Sequence, residues 1–116
     1  MTPADVVRLR HMLDAVDAAA GFIAGRSRGD LDQDQMLLFA LVRAIEIVGE
    51  AASKVSEETR PSVAIPWMAV VGMRNRLIHG YFDIDRDVLW ATAVQSLPQL
   101  GTVLRARLGS EGIGES

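Results

Sequence analysis

The sequence predicts an all-α fold, an antiparallel bundle of four helices joined by short connections. Apolar residues recur at helical spacing in four successive segments, proline and glycine separate these segments, and no stretch alternates apolar with polar residues as a half-buried strand would. The chain has 116 residues, 49% of them hydrophobic, which is enough to bury one core. We expect one domain over residues 1–108 and a disordered, glycine-rich polar tail over 109–116.

The first two helices have recognisable starting signals. Thr2 supplies a capping hydroxyl before Pro3, and proline is favoured at the first position of a helix. The apolar pattern that follows predicts a first helix ending at Ala24. Asp32, with Gln35 three residues later, is typical of a capping box and predicts the start of the second helix.

The third and fourth helices should flank a polar connection. Proline restricts the residue before it, so we expect the third helix to begin at Pro66, and a left-handed Gly80 would end it. Asp83 and Asp85 can cap the fourth helix. Pro98 lies inside that helix and should kink it, because proline has no backbone N–H to donate.

Composition excludes several kinds of site. The absence of cysteine excludes disulfides, thiolate metal sites and cysteine nucleophiles. His11 and His79 are too few for a histidine metal site, and His11 is best explained by surface or packing. Asp83, Asp85 and Asp87 could suggest a divalent cation, but their place before a helix favours caps. We expect no metal and no other cofactor.

Charge and hydropathy limit partners and location. The net charge of −3 gives no general attraction for nucleic acid, so RNA would have to be bound by a local cluster of cations. No segment has the apolar length of a membrane span, and the first residues lack the pattern of a signal peptide. We therefore expect a cytoplasmic protein without membrane association.

Polar side chains are concentrated at the predicted end of the third helix. Arg74, Asn75, Arg76 and His79 fall within two turns, directly before Gly80 and Tyr81. Arginine offers a forked donor that fits phosphate oxygens, and histidine can take and give a proton near neutral pH. Together they suffice for metal-independent RNA cleavage, in which the 2′-hydroxyl attacks the phosphate and leaves a 2′,3′-cyclic product.

The spacing of Arg74 and His79 constrains how they can work together. Residues five apart on a straight helix lie about 140° apart around its axis, too far to face one phosphate. Either the last turn unwinds near Gly80, or a second subunit completes the site, and we favour a two-fold homodimer. Trp67 and Trp90 are then core or dimer-interface residues.

Each polar residue also has a structural interpretation. Arginine and histidine favour helix C-termini because they complement the helix dipole. Asn75 could bind the phosphate or only water, and Arg76 could contact the RNA backbone, form a dimer salt bridge or simply be solvated. Glu50 lies on a charged face of the second helix, which is usually solvated, but could also reach Arg74 and hold it.

The segment from Arg74 to Tyr81 resembles the R-x-x-x-x-H-x-Y signature of HepT-like toxins in the HEPN superfamily. The similarity extends to residues 44–52, 66–67, 83–85 and 97–98. This resemblance implies a dimeric HEPN-type helical bundle, a ribonuclease toxin encoded beside a minimal nucleotidyltransferase antitoxin. Arg74 and His79 take its catalytic positions, and Tyr81 takes that of the tyrosine to which the antitoxin transfers AMP from ATP.

Two other functions remain compatible with these residues. The chain could be a non-catalytic helical subunit that binds substrate or nucleotide for a partner nucleotidyltransferase, or a structural dimerisation module. Unmodified Tyr81 could stack on a base or orient the phosphate. A requirement for His79 in RNA cleavage separates the ribonuclease from both alternatives.

Overall fold

The computed structural model of the chain, described over residues 1–80 and 83–110, confirms the all-α fold. Its helices are α1 (Pro3–Ile23), α2 (Asp30–Gln33), α3 (Gln35–Ser53), α4 (Trp67–Val71), α5 (Met73–Leu77), α6 (Arg86–Ala91) and α7 (Leu97–Ser110). A 3₁₀ turn (Arg60–Ser62) precedes α4, and a π-helical segment (Thr92–Ser96) joins α6 to α7. Among the described residues, no helix combines the length and apolar character that a membrane span requires.

The core lies between the three long helices, because α1 packs against both α3 and α7. Buried residues of α1 recur three and four positions apart, so they form one stripe along the helix. Truncation of such a buried side chain to alanine typically costs about 2–5 kcal/mol. The main contributors are Leu9, Met12, Leu13 and Val16 of α1, Leu41, Ile45, Val48 and Ala52 of α3, and Leu97, Leu100, Leu104 and Leu108 of α7.

The start of α1 is as predicted, but the start of the second long helix is not. The Thr2 hydroxyl accepts a hydrogen bond from the Asp5 N–H at 3.1 Å, and Pro3 is the first helical residue. The predicted capping box of Asp32 and Gln35 is wrong. Asp34 adopts an extended conformation and caps α3 by accepting from Leu37 N–H at 3.1 Å, which leaves Asp30–Gln33 as a separate short helix.

The third predicted helix is shorter and less regular than expected. Gly72 divides it into α4 and α5, and it ends at Leu77 rather than Gly80. Ile78 is extended (φ −113°, ψ 115°) and forms an isolated antiparallel bridge with Ile84. The expected left-handed Gly80 is also wrong, since Gly25 alone has a positive φ within the described part of the chain.

The fourth predicted helix has the expected cap and the expected interruption near its proline. The Asp85 carboxylate accepts from Val88 N–H at 3.0 Å and caps α6. The π-helical segment then ends directly before α7, in which Pro98 is the second residue. Pro98 cannot donate a backbone hydrogen bond, so one N–H donor is missing near this point. The hydrogen-bond pattern changes from π-helical to α-helical beside it. Helix α7 continues through Ser110, two residues past the predicted domain boundary, and residues 111–116 lie outside the described part.

Both tryptophans pack within the protomer. Trp67 donates its indole N–H to the carbonyl oxygens of Arg60 and Val63, at 3.0 and 3.1 Å. The Arg60 guanidinium lies 5.3 Å from the centre of the Trp67 ring, a cation–π distance. Trp90 is partly buried against the core. Trp67 therefore anchors the 3₁₀ turn to the start of α4.

A buried carboxylate joins the start of α1 to the chain after α3. Asp5 is only 3% exposed and accepts hydrogen bonds from the Ser56 hydroxyl at 2.6 Å, the Thr59 hydroxyl at 2.5 Å and the Ser56 N–H at 3.0 Å. These bonds, with the Ser56 hydroxyl the largest cause, lower the pKa of Asp5 from 3.8 to about 2. The ionised carboxylate is thus stabilised by donors that only the folded chain provides.

We predict that Asp5→Asn lowers the melting temperature by several degrees at pH 7, because the amide group has no charge and offers N–H groups where the carboxylate accepts. Since folding lowers the pKa, the stabilisation by Asp5 is fully present above about pH 4 and is lost as the pH falls towards 2. Thermal denaturation from pH 7 to pH 2 should show the two proteins converging. Asp14→Asn, which changes an exposed carboxylate on the same helix, is the control. A constant difference across this pH range would contradict the assignment.

Candidate functional site

Arg74 lies on α5 and is held from α3. Its Nε donates to Oε2 of Glu46 at 2.8 Å, and its side chain is half exposed. Within residues 1–80 and 83–110, Glu46 is the only group that the guanidinium binds, so its terminal N–H groups remain free for a ligand. Binding at Nε fixes one edge of the planar group and leaves the other edge facing outwards, which suits a bidentate contact to phosphate.

The absence of a side chain at Gly49 allows α4 and α3 to lie this close. A Cβ atom at this position would lie 3.3 Å from the carbonyl oxygen of Val71 and 3.5 Å from that of Val70. Helix α5 follows α4 directly after Gly72, and the buried side chains of Met73 and Leu77 anchor it. This close packing brings Arg74 within reach of α3.

The alternative in which Glu50 reaches and holds Arg74 is wrong, because Glu46 makes this contact instead. Glu50 binds Nη1 of Arg43 at 3.0 Å, and the same nitrogen lies 3.7 Å from Glu46. Three residues of α3 and Arg74 of α5 therefore form a chain of ion pairs with alternating charge, in the order Glu50, Arg43, Glu46 and Arg74. Sequence reasoning missed Glu46 although it belongs to the same charged face, because Glu46 and Glu50 lie about one turn apart on that face and only the crossing point of α5 selects between them.

Two adjoining hollows meet at the Arg74–Glu46 pair, and we refer to them together as the Arg74 groove. The first, of about 650 Å³, is mostly apolar, and the second, of about 410 Å³, is more polar. Arg74 and Glu46 line both hollows. The first is completed by Phe39, Val42, Ile78, Gly80 and Ile84, and the second by Gly49, Glu50, Ser53, Val71 and Asn75.

His79 lies beside this groove but is not part of its wall. Helix α5 ends at Leu77, so the chain has left the helical conformation before His79. This unwinding is one of the two arrangements that the spacing of Arg74 and His79 led us to expect. Ile78 is extended, and successive side chains of an extended segment point to opposite sides. Accordingly Ile78 and Gly80 line the groove, whereas the half-exposed His79 imidazole lies 3.9 Å from Asp85, measured from Nε2 to Oδ2. Arg74 and His79 thus have different partners in this protomer, Glu46 for Arg74 and Asp85 for His79.

The remaining predicted residues occupy different places. Asn75 lies beside Arg74 in the polar half of the groove. Arg76 donates from Nη2 to the Ala69 carbonyl at 3.2 Å and lines a separate hollow of about 350 Å³ between α4 and α7. Tyr81, the expected site of AMP transfer, lies outside the described residues.

The acidic residues near the motif have structural partners. Asp85 caps α6, Asp87 binds Arg28 at 2.7 Å, and the backbone carbonyl of Asp83 accepts from His79 N–H at 2.8 Å. In the part of the chain that the structure describes, no three His, Asp or Glu side chains are grouped closely enough to hold a metal ion.

Comparison with known proteins assigns the chain to a family. A model of the ribonuclease HepT-like family matches residues 12–106. The chain is 34% identical over 93 residues to the protein named "Probable ribonuclease HepT" of Thermococcus cleftensis, which covers 79% of this chain and 84% of that protein. It is also similar to two proteins provisionally named as RNases. One, from Caldanaerobacter subterraneus, is 33% identical over 104 residues, covering 89% of this chain and 93% of that protein. The other, from Methanocaldococcus jannaschii, is 31% identical over 93 residues, covering 79% and 85%.

No solved structure matches the chain. The matched residues include the whole of α3, both short helices of the motif and the cap of α6, which are the elements that build the Arg74 groove and position His79. The chain therefore belongs to the ribonuclease HepT-like family.

Proposed function

We propose that this chain is a cytoplasmic, metal-independent RNA endonuclease and the toxin of a toxin–antitoxin pair. The family supports the ribonuclease class, and the observation that carries the proposal is the state of Arg74. Its guanidinium is held by Glu46 at one edge and is open to the groove at the other. That arrangement suits a group that binds a phosphate and stabilises the charge that develops on it.

The proposed reaction needs only a base and a phosphate-binding group. His79 removes the proton of the ribose 2′-hydroxyl, and the oxygen attacks the adjacent phosphorus. The bond from phosphorus to the 5′-oxygen breaks, and that oxygen receives a proton from the imidazolium. The products are a 2′,3′-cyclic phosphate and a 5′-hydroxyl, and Arg74 stabilises the phosphoryl oxygens throughout. DNA is not a substrate because it lacks the attacking hydroxyl.

A homodimer would complete the site. In one protomer Arg74 faces the groove and His79 does not, so we propose that the two protomers place their motifs along one shared cleft. Large apolar side chains on α3 and α4 support this arrangement. Phe39, a groove residue, is 50% exposed, and Met36 and Met68 are 83% and 90% exposed. Burial of such side chains between subunits would stabilise a dimer.

Two polar residues near Arg74 receive different assignments. Asn75 shares the polar half of the groove, and we assign to it a hydrogen bond with the scissile phosphate. Arg76 lines a different hollow and is assigned at most a contact with the RNA backbone away from the cleavage site. Glu50 is assigned an indirect role, since it holds Arg43 beside Glu46.

Regulation is proposed to act through Tyr81 and rests on the family resemblance. A minimal nucleotidyltransferase antitoxin would join the Tyr81 oxygen to the α-phosphorus of ATP and release pyrophosphate. Tyr81 is two residues from His79 in the sequence, so the added AMP would place a bulky anion beside the base. It would fill the cleft and repel an RNA phosphate.

We predict that His79→Ala slows cleavage of single-stranded RNA at least about 100-fold, because general acid–base catalysis supplies about that factor or more. Cleavage is measured with EDTA present, and the 2′,3′-cyclic end is identified by mass spectrometry. His11→Ala, which removes the other and exposed histidine, is the control and should cleave normally. Undiminished cleavage by His79→Ala protein would exclude the mechanism. A wild-type protein that binds RNA without cleaving it would favour the non-catalytic binding subunit.

Glu46→Ala should lower kcat by roughly 10- to 100-fold, because a displaced phosphate-binding group loses the alignment on which the reaction depends. Glu50→Ala is the matched comparison and should lower kcat less, since Glu50 lies on the same helix face but binds Arg43 and does not contact Arg74. Circular dichroism should show both variants folded. Equal losses in the two variants would mean that Glu46 has no special relation to Arg74.

The regulatory proposal is tested by the intact mass of the protein after co-expression with the adjacent gene. One AMP per chain is expected, located on Tyr81 by peptide sequencing, together with loss of cleavage. Tyr81→Phe should remain unmodified under the same conditions. An unmodified wild-type protein whose partner is an active nucleotidyltransferase would refute AMP transfer to Tyr81.

A further inference from the structure

The segment between α5 and α6 is closed by backbone interactions that fix His79 relative to Asp85. His79 N–H donates to the Asp83 carbonyl at 2.8 Å, and Asp85 N–H donates to the Leu77 carbonyl at 2.7 Å. Ile78 and Ile84 form the antiparallel bridge between these two bonds. The backbones of His79 and Asp85 therefore lie on adjacent, hydrogen-bonded stretches of chain.

The two carboxylate oxygens of Asp85 have different surroundings. Oδ1 accepts the hydrogen bond from Val88 N–H at 3.0 Å and is fixed by the cap of α6. Oδ2 lies 3.9 Å from Nε2 of His79. That separation is an ion-pair distance and is longer than a hydrogen bond, so a hydrogen bond between these atoms requires the imidazole to move closer. Catalytic hydrogen bonds are often long before substrate binds and shorten in the complex.

We propose that Asp85 is a positioning residue for His79, an inference that rests on the proposed ribonuclease function. Oδ2 accepts Nε2–H of the neutral imidazole, which leaves Nδ1 as the unprotonated nitrogen that takes the 2′-hydroxyl proton. The partner of one ring nitrogen decides which tautomer a histidine adopts. After proton transfer, the same carboxylate lies beside the imidazolium and stabilises its charge.

Other carboxylates in this region are less suited to the role. Asp83 meets His79 through its backbone carbonyl, and Asp87 is engaged with Arg28 at 2.7 Å. Asp85 differs because the hydrogen bond that caps α6 fixes its Oδ1. Its Oδ2 is therefore preorganised at a defined position. The residue that starts α6 thus also sets the orientation of the base.

Asp85→Asn is the most direct test, because asparagine is as good an N-cap as aspartate and should keep α6 in place. With the amide oxygen used by the cap, its NH₂ group faces His79 and donates to Nε2. The neutral His79 ring should then shift towards the Nδ1–H tautomer. Long-range ¹⁵N–¹H NMR correlations of histidine-labelled full-length protein measure the tautomer, and His11 in the same spectrum is the internal control.

Activity provides the second measurement. Asp85→Asn should lower kcat at least about tenfold with little change in KM, because orientation of the base affects the chemical step rather than RNA binding. Asp83→Asn is the matched control and should change neither the tautomer nor kcat. Asp85→Ser, which keeps one oxygen for the cap but lacks the second carboxyl atom that faces His79, should lower kcat without enriching the Nδ1–H tautomer.

The outcomes separate this inference from the proposed function. If His79→Ala abolishes cleavage but Asp85→Asn and Asp85→Ser, both folded, leave the tautomer and kcat unchanged, Asp85 has no positioning role. If Asp85→Asn shifts the tautomer while His79→Ala still cleaves RNA, the contact between Asp85 and His79 exists but the proposed function of His79 is wrong. Asp85 then has no role in catalysis through His79.

Discussion

A hydrogen bond of 2.7 Å between Asp85 N–H and the Leu77 carbonyl governs the shape of the motif. The last carbonyls of any helix lack partners inside the helix, and a buried carbonyl must find one elsewhere. Leu77 is fully buried, and the chain beyond the motif supplies its partner. Because Asp85 also caps α6, one residue ends one helix and begins the next. Arg74 consequently stays on a helix against α3, while His79 leaves it on an extended segment.

The short helices that carry the motif depend on the long ones. Helices α4 and α5 have five residues each, far too few to be stable alone. Val70, Met73 and Leu77 are buried and fix these helices against the bundle. The close contact at Gly49 sets how near α4 lies to α3, and hence which glutamate Arg74 reaches. Packing of the core is therefore also what positions the Arg74 guanidinium.

The sequence predicts the features that depend on a few neighbouring residues. The Thr2 cap and the Asp85 cap follow from side chains that bond the backbone three residues ahead, and both are confirmed. The Asp34 cap was missed because three aspartates at alternate positions offer similar local signals. The helix end at Leu77 and the Arg74–Glu46 contact depend on residues 8 and 28 positions away, so no local pattern specifies them.

The charges around the Arg74 groove favour binding of an anion at one defined position over general attraction by the net charge of the protein. The chain carries a net charge of −3, and Arg74 and Arg43 are each paired with a glutamate of α3. Such pairs reduce the positive potential that would draw any polyanion towards the surface. A phosphate would be bound most favourably at the edge of Arg74 that Glu46 leaves open. In the proposed mechanism RNA is selected by its 2′-hydroxyl, since DNA has no such group to bring to His79.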